Sequence, residues 1–295
     1  MSTNLKTIQC FCGEERYKTI KKIPYSDEYF KKNYKNATIV KCVKCDLLRT
    51  SPTPILDMPE IYEENSVSHS HEKNIGLWKS FSEEIIEKLK PFKSSGKFLD
   101  IGCNIGVLVK VATENGFEAS GIDLSESAVS FGRKHFQIDL KKEYLENIQG
   151  ENVFDVIVMN HVIEHIPNLK EFTSHIRRLL KPDGIFLSVC PNAESLIPAT
   201  LNLLNMKKTG RGSNWFWYGY LPEQHVWQFG PKTLSHILSK CQFHVIKTSA
   251  HQNMHWGMTE IPALRFKLLK LLWNLFAIIN KGDNLFIWCL PNKKQ

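Results

Sequence analysis

Short apolar runs alternate with amphipathic stretches along the middle of the chain, and this alternation predicts the order of its elements. The apolar runs predict strands at 97–102, 117–122, 136–140, 153–160 and 184–190. Between them, apolar positions three and four residues apart predict helices at 78–89, at 106–115, from Ser125 onward and at 169–180. Strands that alternate with helices in this way indicate an α/β fold, in which helices cover both faces of a mainly parallel sheet.

A glycine loop ends the first predicted strand, within the segment FLDIGCNIGVLV. It contains no lysine, which excludes a P-loop, and Gly102 and Gly106 do not have the spacing of a dinucleotide-binding loop. Asn104, between them, belongs to the few residue types that tolerate a left-handed backbone. After the second strand comes Asp123, where a carboxylate can bind the hydroxyls of an adenosine ribose, cap the helix that begins at Ser125, or do both. The loop therefore predicts a nucleoside ligand that lacks a pyrophosphate.

Four segments in this order resemble the motifs of class I S-adenosylmethionine (SAM)-dependent methyltransferases: FLDIGCNIG, GIDLS, FDVIVMNHVIEHI and LLKPDGIFLSVCPN. The resemblance implies a seven-stranded Rossmann-like sheet whose last strand is antiparallel, with GDNLFIWCLP as that edge strand. It also implies that Asp100 and the loop 102–106, where Asn104 replaces the family's usual glycine, hold the methionine end of SAM. The other cofactor-binding residues implied are Asp123 with Leu124 at the ribose, Glu143 or Tyr144 beside the adenine, and Asn160 with His161 beneath the methionine moiety.

Two close pairs of cysteines lie in the first fifty residues, a C-x-C at Cys10 and Cys12 and a C-x-x-C at Cys42 and Cys45. This spacing predicts a zinc ribbon with a structural Zn²⁺; a metal-free remnant of such a module and a redox role stay open. The segment VKCVKCDLLRTSPTP resembles the zinc-knuckle region ahead of methyltransferases encoded with surface-glycan and sugar-modifying genes. The remaining four cysteines stand in apolar segments and are predicted to be core residues: Cys103, Cys190, Cys241 and Cys289.

The substrate lid is predicted between the fifth strand and the next αβ unit, where aromatic residues crowd together: Trp215, Phe216, Trp217, Tyr218, Tyr220 and Trp227. Such a cluster can form the wall of an acceptor pocket or simply pack on itself. His225 is the predicted general base, since histidine titrates near neutral pH, and His165 is the second candidate. The deoxysugar C-methyltransferases carry a Glu-His pair in a similar place, whereas Gln224 precedes His225 here, which favours a hydroxyl acceptor. Metal-independent chemistry is expected.

These observations predict five regions: a zinc-ribbon-like module (1–55), a linker with a leading helix (56–95), the SAM-binding core (96–192), the lid (193–230) and the C-terminal part of the sheet (231–295). Residues 1–50 carry eleven Lys and Arg against five acidic residues, a net charge of +6 out of +8 for the whole chain, which suggests an anionic partner or a solvated surface. The apolar run LRFKLLKLLWNLFAIIN predicts a helix that covers the sheet or lies at a membrane interface.

The leading functional prediction is O-methylation of a saccharide or sugar nucleotide in polysaccharide biosynthesis. The alternatives are an RNA methyltransferase, a quinone or lipid O-methyltransferase, and a non-catalytic SAM-binding adaptor. A polar N-terminal segment without the features of a signal peptide predicts a cytoplasmic protein, with peripheral contact to the inner membrane face as an option. The expected partner is a small molecule, with RNA less favoured and DNA not expected, and the sequence specifies no oligomeric state.

Overall fold

The computed structural model describes residues 4–6, 8–23, 37–51, 53–55, 70–197, 200, 225–251 and 263–292, with side chains left out at 4–6, 23, 53–55, 70–74 and 263–270. The strands are β1 (Asn4–Lys6), β2 (Tyr17–Ile23), β3 (Ala37–Cys42), β4 (Leu48–Ser51), β5 (Thr53–Ile55), β6 (Gly96–Ile101), β7 (Phe117–Asp123), β8 (Asp139–Lys142), β9 (Phe154–Asn160), β10 (Leu180–Pro191), β11 (Trp227–Gln228), β12 (Phe243–His251) and β13 (Asn284–Pro291). The α-helices are α1 (Ser70–Leu89), α2 (Val107–Glu114), α3 (Glu126–Phe136), α4 (Leu169–Leu179), α5 (Pro231–Lys240) and α6 (Ala263–Ile278), and short 3-10 helices span Leu145–Asn147 and Ile163–His165.

The central sheet has seven strands in the order β12-β13-β10-β9-β6-β7-β8. Strand β13 is antiparallel to both of its neighbours, while the pairs from β10 to β8 are parallel, so the predicted seven-stranded sheet is confirmed. The expectation that β13 forms the edge was wrong, because β12 pairs along its other side. The first six residues of β13 are buried, whereas most residues of β12 are partly or fully exposed. A mainly apolar strand is more stable inside a sheet than at its edge.

Two helix boundaries differ from the predicted ones. Helix α1 begins at Ser70, eight residues before the predicted start, so part of the expected linker is helical. Helix α3 continues to Phe136 and ends at Gln137, whose left-handed backbone (φ 54°) closes the last turn; the next strand is therefore displaced to Asp139–Lys142. The predicted start of α3 is confirmed, with Ser125 as its N-cap accepting a hydrogen bond from the Ala128 amide.

Alternate residues of the strands pack on opposite faces of the sheet. One face, with Phe98, Val156 and Leu187, packs against α1 and α2. The other face, with Leu99 and Ile157, packs against α4 and α5 and also against the N-terminal cysteine module. The four cysteines outside that module are buried, as predicted: Cys103, Cys190, Cys241 and Cys289.

The N-terminal module contains a four-stranded antiparallel sheet in the order β11-β4-β3-β2. Its fourth strand, β11, comes from much later in the chain. Trp227 of β11 pairs with Arg49 of β4, and Gln228 pairs with Leu48. Cys10, Cys42 and Leu47 of the module share one apolar cluster with Trp227 and the central sheet. The module is therefore joined to the rest of the protein by the pairing of β11 with β4 and by an apolar cluster that it shares with the central sheet.

Helix α6 is anchored through Trp273, which is fully buried and whose indole N–H donates to Thr200 Oγ1 at 3.2 Å. Several large apolar side chains of this C-terminal segment remain exposed: Leu271, Leu272, Leu275, Ile278 and Ile279. Within the described ranges, no helix combines the length and apolar character needed to cross a bilayer.

Candidate cofactor and acid–base site

The carboxyl end of β6 turns sharply through three residues with left-handed backbone angles: Gly102 (φ 73°), Asn104 (φ 50°) and Gly106 (φ 80°). A Cβ on Gly106 would lie 2.6 Å from Ile138 Cδ1, and one on Gly102 would collide with Val162. Only glycine fits these two positions without displacing a neighbour. Asn104 adopts the left-handed conformation that the sequence predicted it could tolerate.

Asp123 fastens this loop to the end of the neighbouring strand. Its Oδ2 accepts a hydrogen bond from the Asn104 amide at 2.8 Å, and its Oδ1 accepts one from the Ser125 amide at 2.9 Å. The second contact lies at the start of α3 and corresponds to the helix-capping role that the sequence analysis gave as an alternative or addition to ribose binding. An ionised carboxylate accepts hydrogen bonds through both oxygens, which is the chemistry that binding the hydroxyl groups of a ribose requires.

Asp100, the next-to-last residue of β6, is 3% exposed. Burial raises the pKa of its carboxyl well above the ordinary value, and the negative charge of Asp123 raises it further. A cationic group bound beside Asp100 would lower the pKa of this carboxyl again and favour its ionised form. The ammonium group of an amino acid moiety provides such a charge, so the electrostatics of this pocket suit the methionine end of SAM.

The other predicted cofactor residues follow the carboxyl ends of the adjacent strands. Glu143 and Tyr144 come directly after β8, where the Glu143 amide donates to Asp123 O at 3.2 Å. Asn160 ends β9, and its buried Oδ1 has no donor among the described residues, as expected of a group that meets a ligand. The ends of β6, β7, β8 and β9 are neighbours in the sheet, so Leu124 and His161 also lie at this edge.

A carboxylate and three imidazoles meet beside the loop after β9: Glu164, His161 and His165 belong to this loop, and His225 comes from the segment before β11. Glu164 is 1% exposed, and His161 Nδ1 lies 3.4 Å from its Oε1. The rings of His165 and His225 meet edge to face, with centroids 4.7 Å apart. Ligand atoms of Glu164, His165 and His225 lie within 4.8 Å of one another, close enough to hold a divalent cation or to share protons.

Glu164 and the histidines of this cluster change each other's pKa values. Burial acts to raise the pKa of Glu164, but contact with His161 and the charges of His165 and His225 outweigh it and lower the pKa to about 2. Burial acts to lower the pKa of His161, and contact with Glu164 overcomes this and raises it. Glu164 is therefore an anion at neutral pH that stabilises positive charge on the surrounding imidazoles.

The four N-terminal cysteines converge as predicted. The sulfur of Cys10 lies 3.5 Å from that of Cys45 and 3.6 Å from that of Cys12, and Cys12 lies 3.6 Å from Cys42. Four sulfurs at about 2.3 Å from one tetrahedral ion are about 3.8 Å apart, whereas a disulfide needs about 2.05 Å. All four sulfurs lie within 4.8 Å of one another, so the four thiols could hold a zinc ion, even though the first knuckle is a C-x-C.

The predicted lid is described only in part. Residues 201–224 lie outside the described residues, and with them Trp215, Phe216, Trp217, Tyr218 and Tyr220. Trp227 is described, and it is 2% exposed with its indole N–H donating to Ile166 O at 2.8 Å. This tryptophan packs in the core between the cysteine module and the loop after β9, and it does not form the wall of an open pocket.

Sequence reasoning missed Thr50 and Gln228, which touch the main chain at His225. Thr50 Oγ1 donates to His225 O at 2.7 Å, and Gln228 Nε2 donates to the same oxygen at 3.3 Å. No motif signals this contact, because Thr50 and His225 are 175 residues apart in the chain.

A seven-stranded sheet with one antiparallel strand, a glycine loop after β6 and a carboxylate after β7 define a class I SAM-dependent methyltransferase. The chain matches the family described as "Methyltransferase domain" over residues 72–248 and belongs to that family. The protein is therefore a methyltransferase enzyme that uses SAM.

Three similar proteins are also named as methyltransferases. The ubiquinone biosynthesis O-methyltransferase of Rickettsia prowazekii is 26% identical over 222 residues, which cover 72% of this chain and 78% of that protein. The protein of the same name from Rickettsia typhi is 26% identical over 204 residues, covering 65% and 74%. The structure of a SAM dependent methyltransferase from Archaeoglobus fulgidus matches with a TM-score of 0.51 and 18% identity, covering 76% of this chain and 100% of that one, and it supports the fold.

Proposed function

We propose that the enzyme methylates a phenolic hydroxyl group of a quinone precursor or a similar lipid. The observation that carries this proposal is the likeness to two proteins named ubiquinone biosynthesis O-methyltransferase, each aligned over about two thirds or more of this chain. This supports the quinone alternative over the saccharide that the sequence analysis favoured. The likeness to glycan-modifying enzymes rested mainly on the cysteine segment, which lies ahead of the region matched by the family, 72–248, and at His225 this chain lacks the Glu-His pair of the deoxysugar enzymes.

The cofactor site in this proposal is the edge formed by the ends of β6 to β9. Asp100 would pair with the ammonium group of the methionine moiety, and Asp123 would bind the ribose hydroxyls. Glu143 and Tyr144, which is 45% exposed, would flank the adenine. SAM, when bound, supplies an electrophilic methyl group on a sulfonium; the protein must align the acceptor oxygen with it and exclude water.

His225 is the proposed general base. It is 6% exposed and lies against His165, in the same cluster as the anionic Glu164. An imidazole nitrogen of His225 would accept the proton that the acceptor hydroxyl loses when it is methylated. The negative charge of Glu164 stabilises the imidazolium that forms, which lowers the barrier to proton removal.

A panel of acceptors tests this function directly. Methyl transfer from labelled SAM would be measured with a prenylated catechol, an unprenylated catechol, a nucleotide sugar and total RNA. We expect the prenylated catechol to react fastest. Transfer to the nucleotide sugar alone would restore the saccharide interpretation, transfer to RNA would support the alternative of an RNA methyltransferase, and no transfer to any hydroxyl would contradict the proposal.

The exposed apolar side chains of α6 support a lipid acceptor, because they would allow the enzyme to dock on a membrane that contains it. Leu275 is 54% exposed and Ile278 is 77% exposed, and the sequence places Lys267 and Lys270 in the same helix. Exposed apolar groups next to basic residues are typical of helices that lie in the interface of anionic membranes.

We therefore predict that the double substitution Leu275→Asp with Ile278→Asp weakens co-sedimentation with vesicles that contain anionic lipid by tenfold or more. Each buried side chain of this size contributes roughly 1.5 kcal/mol or more, so the estimate is conservative. Ile20→Asp, a similar change at an exposed apolar position in β2, is the control and should bind as the unsubstituted protein does. Equal binding of all three proteins would contradict a membrane contact through α6.

A structural zinc ion in the cysteine module is the second part of the proposal. The sulfur–sulfur distances of 3.5 and 3.6 Å support it, and a metal bound by four thiolates would stabilise the short strands and turns of the module. All four coordination positions would be filled by thiolates of Cys10, Cys12, Cys42 and Cys45, so the ion would not bind substrate.

A further inference from the structure

We propose that the cysteine module is a positioning element of the acid–base site, and that Thr50 is the residue through which it holds His225. This inference rests on the proposed role of His225 as the general base. It goes beyond a structural zinc site, because it gives the module a specific task in the reaction, which is to fix the place of the proton acceptor.

The contact includes four hydrogen bonds between buried groups. Thr50 Oγ1 donates to His225 O at 2.7 Å, and the Thr50 amide donates to Val226 O at 3.1 Å. Gln228 Nε2 donates to Thr50 Oγ1 at 3.0 Å and to His225 O at 3.3 Å. Thr50 is 0% exposed and Gln228 is 5% exposed, so water does not compete for these bonds.

The opposite side of the same segment is held by the loop after β9. The Val226 amide donates to Glu164 O at 2.9 Å, and the indole N–H of Trp227 donates to Ile166 O at 2.8 Å. The segment 225–228 is thus bound between β4 of the module and the loop that carries Glu164 and His165. This arrangement brings the ring of His225 against that of His165.

The cysteines connect directly to Thr50. Strand β3 ends at Cys42, and the Cys42 amide donates to Leu47 O at 3.0 Å across the turn that contains Cys45. Strand β4 follows at once and pairs with β3, with Thr50 opposite Ile39. A metal ion that joins Cys42 and Cys45 would therefore close the hairpin whose second strand carries Thr50, and loss of the ion would loosen both.

Hydrogen exchange followed by mass spectrometry tests this coupling without any acceptor. The full-length protein would be compared with zinc bound and after zinc removal by a chelator under reducing conditions. We expect faster exchange in peptides covering 37–51 and 225–230, and unchanged exchange in a peptide covering 154–160. Faster exchange at 37–51 with no change at 225–230 would overturn the inference, and so would protein that binds no zinc.

Substitution at Thr50 tests the positioning role itself. Thr50→Val keeps the shape of the side chain and removes the hydroxyl donor; we expect turnover with the best acceptor to fall about tenfold or more, with zinc content and S-adenosylhomocysteine affinity unchanged. Thr50→Ser retains the hydroxyl and should restore most of the turnover, and Thr19→Val, at an exposed position of the same module, should have no effect.

Full turnover of Thr50→Val, or an equal loss in Thr50→Ser, would contradict the role of the hydroxyl. The two experiments also separate this inference from the proposed function. If the zinc-bound, unsubstituted protein methylates none of the acceptors, the proposed function fails, while the exchange result still reports whether the module holds the segment at His225.

Discussion

Replacement of His225 by asparagine should lower turnover about a hundredfold or more while leaving the affinity for S-adenosylhomocysteine within about twofold. The reason is that the substitution removes the proposed proton acceptor, whereas the proposed cofactor-binding residues belong to other segments at the ends of β6 to β9. Turnover would be measured with the best acceptor from the panel, and affinity by titration calorimetry with the acceptor absent.

His236→Asn is the matched control, since His236 is an exposed histidine in α5, and it should leave both quantities unchanged. His165→Asn is expected to cause a smaller loss than His225→Asn, because His165 contacts the base without being it. If His225→Asn keeps full turnover while His165→Asn loses it, the general base is His165 and the second candidate from the sequence is correct.

Replacement of Asp100 by asparagine should nearly abolish cofactor binding and, at the same time, stabilise the free protein. Burial and the charge of Asp123 raise the pKa of Asp100 in the folded protein above its value in the unfolded chain, about 3.9. The folded state then binds more protons than the unfolded state between these two pKa values. This group therefore makes the protein less stable as the pH rises through that interval, and the penalty is complete above it.

Asparagine cannot ionise, so it removes this penalty. We expect Asp100→Asn to raise the Tm of the free protein by roughly 3 °C at neutral pH and to have no such effect below about pH 4. In the same variant the affinity for S-adenosylhomocysteine should fall at least about a hundredfold, because the ammonium group loses its counter-ion. Scanning calorimetry and binding titrations measure the two effects separately.

Asp123→Ala gives a contrasting result that serves as the comparison. It should also weaken cofactor binding, but it should lower the Tm, because the amides of Asn104 and Ser125 lose their acceptor. Unchanged affinity in either variant would contradict the assignment of the cofactor site to the ends of β6 and β7.

Much of the fold follows from the sequence, since the alternation of apolar strands and amphipathic helices is a local property. Apart from the start of α1, the strands and helices of the central sheet therefore appear within a few residues of their predicted positions. The left-handed angle at Asn104 and the helix cap at Ser125 were also predictable, because both depend on residue type and immediate neighbours. The convergence of the four N-terminal cysteines was predictable from their spacing, and the structure brings their sulfurs together.

The apolar residues of β13 favour a place inside the sheet, but they do not specify which strand pairs along its other side, and that pairing with β12 depends on the tertiary structure. The acid–base cluster is a similar case, since the sequence offered His165 and His225 only as separate candidates. Their contact, and the hydrogen bonds from Thr50 and Gln228, join segments far apart in the chain. The sequence by itself thus determined most of the elements, the glycine loop after β6 and the chemical types available. Only the tertiary structure decided which side chains meet, because strand pairing and burial depend on contacts that no local pattern contains.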